Sequence, residues 1–86
     1  MYVILVYDVD EKRVSKMLKL CRRYLCWIQN SVFEGDLTEG QLRQLYFEIN
    51  QLIEDNDSVI IFKFRQEKWV DKDILGVEKK STSNFL

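Results

Sequence analysis

The sequence predicts an α+β domain in which two helices cover one face of a four-stranded antiparallel sheet. Three observations predict it. The chain opens on an unbroken run of six apolar or aromatic residues, Tyr2 to Tyr7. Two later stretches carry apolar residues at helical spacing, and short β-favouring runs lie between and after them. The order is strand, helix, strand, strand, helix, strand, and 86 residues leave room for one core only.

The opening run is rich in β-branched side chains, which suits a strand buried on both faces and therefore central in its sheet. It ends in two carboxylates, Asp8 and Asp10. Residues two apart on a strand share a face, so both could present carboxylates at the sheet's end; equally, they could end the strand and cap the helix. From Glu11 to Leu25, Val14, Leu18, Cys21 and Leu25 recur at steps of four, three and four, with Met17 and Tyr24 widening the stripe of an amphipathic helix. Asp10 is its expected N-cap, and Glu11 suits the helix dipole. Two short strands follow, about 27–29 and 32–36, joined by a bend at Asn30 and Ser31. Gly35 inside the second implies a bulge or a close backbone approach. Thr38 and Gln41 have the spacing of a capping box. Leu42, Leu45, Ile49, Leu52 and Ile53 mark the stripe of the helix it opens. A polar turn over residues 54–57 leads into a strand at 58–65, and a short extra strand is expected within 69–77, most clearly at 74–77. The expected domain spans residues 1–78, with a polar tail at 79–86.

Two split β-α-β units in this order give a ferredoxin-like sandwich with the first and third strands central. One sheet face then lies bare. An apolar bare face on so small a domain calls for a second copy, so a homodimer is expected.

Composition narrows the chemistry. Cys21 and Cys26 are five apart, which is not a redox or zinc spacing, and both are expected as buried reduced thiols. The absence of histidine removes the usual general base and soft-metal ligand, so a metal site would use oxygen ligands and favour magnesium or manganese. Three glycines supply no ligand-binding loop of the kind a small-molecule regulatory domain needs. No apolar run approaches a membrane span and the first residues lack a signal-peptide pattern, so no membrane association and a cytoplasmic location are expected. The net charge is −1, yet residues 1–33 carry +3 and the rest −4. Lys12, Arg13, Lys16, Lys19, Arg22 and Arg23 supply that surplus from one helix, as phosphate contact would require, although such a run is also compatible with a solvated face.

Tyr7-Asp8-Val9, Cys21-Arg22-Arg23-Tyr24-Leu25, Gln29-x-Ser31-Val32-Phe33-Glu34-Gly35 and Asp57-Ser58-Val59 together resemble the family of CRISPR-associated protein two, over roughly residues 1–77. The resemblance implies a ferredoxin-like homodimer whose C-terminal strand joins the partner's sheet. It implies that Asp8 is the catalytic carboxylate, facing its counterpart across the dimer and holding a divalent cation, Mg2+ with Mn2+ as substitute. Ser31 and Phe33 match positions the family places near this site; read from packing alone they are a bend hydroxyl and a core aromatic. The implied activity is metal-dependent cleavage of single-stranded RNA or duplex DNA in CRISPR adaptation, with Arg13, Lys16 and Lys19 as candidates for holding the nucleic-acid backbone. The alternative within the family is a non-catalytic scaffold that binds duplex DNA and bridges integrase dimers of CRISPR-associated protein one.

Overall fold

A computed structural model describes residues 1–80. The elements are β1 (Tyr2–Asp8), α1 (Glu11–Tyr24), β2 (Cys26–Gln29), β3 (Val32–Asp36), α2 (Glu39–Leu52) and β4 (Ser58–Phe64), followed by a 3-10 turn at Glu67–Trp69. The four strands form one sheet in the order β2-β3-β1-β4. All three pairings are antiparallel, so β1 and β3 are central, as the ferredoxin-like reading expects.

The pleat divides the strand residues between two faces. Val3, Leu5 and Tyr7 of β1 face the helices together with Phe33 of β3, and they pack on Met17, Leu20, Cys21, Leu42, Leu45 and Ile49. The periodicity of α1 misplaces its stripe: Val14 is exposed, and Leu20 joins Met17 and Cys21 as the buried residues. Asp10 caps α1, its carboxylate accepting from the Lys12 N–H at 2.9 Å. The Thr38–Gln41 capping box forms in both directions at α2. Asn30 adopts the left-handed φ of 45° that turns β2 into β3. Gly35 marks a close approach: a Cβ there would stand 3.0 Å from Leu25 Cδ2. The irregularity in the hairpin lies instead in β2, between Trp27 and Gln29.

The opposite face carries Ile4, Val6, Val32, Ile60 and Phe62. Ile60 and Phe62 are about half exposed in the single chain. Beyond β4 the expected extra strand does not form among the described residues. The segment instead turns back across this outer face, where Lys72 and Lys80 reach the buried carboxylate of Glu34 at 2.6 and 3.1 Å. Of the expected tail at 79–86, residues 81–86 lie outside the described residues. The two cysteines part company. Cys21 is buried, which pushes its thiol up to about 12, whereas Cys26 is exposed on the outer face opposite Glu34, contrary to expectation. Among the described residues no helix is long and apolar enough to cross a membrane.

Candidate active site at the carboxyl end of the central strand

β1 is the most buried strand of the sheet, and Asp8 is the residue on which it emerges into solvent. The register places Asp8 opposite Ser58 at the last rung with β4. By the alternation that puts Ile4 and Val6 on the outer face, Asp8 belongs to that same face. On the other side, the Tyr7 N–H donates to the Ser31 carbonyl at 3.1 Å, which brings the β2–β3 turn beside the end of β1. At one edge of the sheet the Ser31 backbone therefore lies beside the end of β1, one residue before Asp8. Phe33 is not part of that edge. It is fully buried on the helix-covered face, stacked on Tyr7 with ring centroids 6.1 Å apart, so its reach is confined to the core.

An open hollow at this edge is lined by Asp8, Val9, Asp10, Lys12, Arg13 and the turn 54–57. Its floor is organised by Asp57, whose side chain is only 1% exposed. Arg13 donates to both Asp57 oxygens, from Nε to Oδ2 at 2.5 Å and from Nη2 to Oδ1 at 3.0 Å. The Asp10 N–H donates to Oδ1 at 2.8 Å and the Glu54 N–H to Oδ2 at 2.9 Å. The Arg13 guanidinium holds the Asp57 carboxyl well below the usual carboxylate range, against the opposing effect of burial. Arg13 also pairs with Glu54 at 3.3 Å. This Arg13 is thus engaged in a fork-to-fork pair, and the reading of it as a phosphate contact meets a guanidinium already occupied. Lys16 and Lys19 stay exposed on α1. Lys12 lies on the same helical face, at four and seven residues' spacing, and it lines the hollow itself. Sequence reading placed Asp57 in a motif without giving it a role, and it undervalued Lys12. Asp57 sits 44 residues from Arg13, and no local pattern announces such a pair.

Among the described residues, no group of three or more His, Cys, Asp or Glu side chains is arranged to hold a metal. Magnesium keeps several of its waters and takes one or two carboxylates, so the exposed oxygens of Asp8 fit as one donor of such a site but do not complete it within one chain.

The family model for CRISPR associated protein Cas2 matches residues 1–72. The chain belongs to the Cas2 family. The CRISPR-associated endoribonuclease Cas2 of Fusobacterium nucleatum is 48% identical over 92 residues, taking in all of this chain and 87% of that protein. The CRISPR-associated endoribonuclease Cas2 of Thermotoga maritima is 50% identical over 80 residues, 92% of each chain. A crystal structure of Cas2 superposes with a TM-score of 0.86 at 43% identity, covering 92% of this chain and 90% of that one. Streptococcus pyogenes Cas2 at pH 6.5 superposes with a TM-score of 0.72 at 29% identity, covering 88% and 100%. The Cas2 fold is thus shared across the whole sheet and both helices.

Proposed function

We propose that two copies of this chain form a metal-dependent endonuclease that hydrolyses phosphodiester bonds in RNA, with duplex DNA as a second substrate class, in the service of CRISPR adaptation. The observation that carries the proposal is the position of Asp8: exposed, rigidly held at the end of the central strand, and on the same face as the uncovered apolar patch. Burying that patch against a second copy by a two-fold axis would turn two Asp8 carboxylates toward a common space. The endoribonuclease names of the relatives support RNA as the substrate.

Each chain's residues have definite tasks in this scheme. The Asp8 carboxylates are the residues that would hold the cation. When bound, magnesium, or manganese in its place, supplies Lewis acidity at the phosphate and lowers the pKa of a water. Lys12, Lys16 and Lys19 line one face of α1 and hold the backbone by charge without reading sequence. To Ser31, in the turn beside the end of β1, we assign the role of hydrogen-bonding a phosphate oxygen or water. With no histidine in the chain to act as general base, slow turnover is expected.

One observation favours a second reading. Among the described residues no cluster of three or more candidate ligands is arranged to hold a metal, and a duplex-binding scaffold that bridges integrase dimers of CRISPR-associated protein one needs only the basic face and the fold. Cleavage of single-stranded RNA and duplex DNA by wild type and Asp8→Ala, with magnesium or with chelator, separates the two. The nuclease reading expects Asp8→Ala to fall to the chelator level while remaining dimeric by sedimentation. Equal cleavage by both proteins, or none by either, overturns it in favour of the scaffold.

A further inference from the structure

The Asp57 carboxylate has no free acceptor left for a substrate or cation. Its two oxygens take four N–H donors: two from Arg13, one from the backbone of Asp10 and one from the backbone of Glu54. Their placement matters more than their number. The β1–β4 ladder ends at the pair Asp8–Ser58, and Asp57 is the residue just before that rung. Its carboxylate reaches across the same gap to the Asp10 N–H, so the hold of β4 on this strand extends two residues past the last rung. Asp8 is thereby fixed on both sides, by the ladder behind it and by the Asp57 clasp ahead of it. Arg13 closes the clasp from α1 and pairs with Glu54 on the far side of the hollow. Three segments meet at one buried carboxylate: the β1–α1 connection, the first turns of α1 and the α2–β4 turn.

We propose that Asp57 is a positioning residue for Asp8, and that Arg13 acts through Asp57 rather than by contact with nucleic acid. The proposal rests on the nuclease reading for its consequence in catalysis, but the clasp itself stands on geometry. A carboxylate that must share or hold a cation tolerates little angular error, and the residues that fix such a ligand from behind typically change metal affinity or activity by about ten- to a hundredfold when altered.

The informative variant is Asp57→Asn. An amide has one oxygen and an NH2, so in either orientation it aims a donor at an Arg13 N–H and at one backbone N–H, that of Asp10 or that of Glu54, and the clasp loosens without a change of volume. Arg13→Lys is the second variant, since it keeps the charge but cannot make the two-pronged contact. Wild type, both variants and Asp8→Ala are compared as full chains for oligomeric state, amide hydrogen exchange at Asp10, cleavage rate and the magnesium concentration that gives half-maximal cleavage. The expected result is faster exchange at Asp10 together with a half-saturating magnesium concentration raised about tenfold or more, or a comparable loss of rate, in a protein that remains dimeric. Faster exchange with unchanged magnesium dependence and unchanged rate would make the clasp a loop fastening only and overturn the proposal, as would unchanged exchange at Asp10. If Asp57→Asn does not fold, Arg13→Lys carries the same readings. If wild type itself shows no metal-dependent cleavage, the nuclease reading falls separately, and Mn2+ broadening of resonances around Asp8 becomes the readout. Broadening that demands more Mn2+ in Asp57→Asn supports positioning; the same broadening in both proteins, or none in wild type, overturns it.

Discussion

Glu34 is an acidic side chain only 2% exposed, on a sheet face that is otherwise largely apolar. Burial alone would push its carboxyl up. Hydrogen bonds from Lys72, the Tyr2 hydroxyl and Lys80 outweigh that effect and hold it below its ordinary value of 4.5. Asp57 is displaced in the same direction by Arg13. For a carboxyl whose folded pKa is depressed, the stabilisation is complete above the unfolded value and is lost as pH falls through the folded one. Thermal unfolding should therefore show a midpoint that drops as the pH falls below about 4.5, and Glu34→Gln should flatten part of that drop while lowering stability at neutral pH by about 1 kcal/mol. The loss is modest because Lys72 and Lys80 regain water when the pair is removed. Limited proteolysis gives the local readout: cleavage within the strap over residues 66–80, which Lys72 and Lys80 fasten to Glu34, should accelerate in Glu34→Gln, and equal resistance in both proteins would show that these pairs do not fasten it.

β3 shows how much one strand divides its work between two faces. Phe33 points into the core and Glu34, its neighbour, points out to meet the strap. Phe33→Leu is expected to lower stability by about 1–2 kcal/mol in chemical denaturation and to leave cleavage per folded molecule unchanged. A selective loss of activity would restore Phe33 to the site. The strands, the capping box and the cap at Asp10 were legible in the chain because each rests on residues within a turn of one another. The tilt of the α1 stripe was not. Val14 and Leu20 each stand three residues from the buried Met17, on either side of it, and only the sheet decides which of them lies underneath. Asp8 was legible as a carboxylate ending a buried run, and the family pattern gave it a role. The clasp behind it was not, because Arg13, Asp10 and Asp57 come together through the pairing of the first strand with the last. The extra strand failed for a related reason: a β-favouring run becomes a strand only on a partner edge, and 74–77 pair with none among the described residues.

At the scale of the molecule, the outer face is divided. The strap covers the end near Tyr2 and Glu34, which leaves the apolar patch of Ile4, Val6, Ile60 and Phe62 open toward the Asp8 end. If a second copy seals that patch, Phe62→Glu should give a folded monomer in sedimentation, because the side chain is about half exposed in the single chain and loses little there. A Phe62→Glu protein that still sediments as a dimer would move the interface elsewhere. The strand order has a consequence in time as well as in space. β1, the first segment to be synthesised, is flanked by β3 on one side and by β4 on the other. Its most apolar run must wait for residues 58–64, at the far end of the domain, before both of its edges are paired. Until then a nascent chain holds an unsatisfied central strand, which makes its folding a late, cooperative closure governed by long loops rather than a stepwise assembly from the N-terminus.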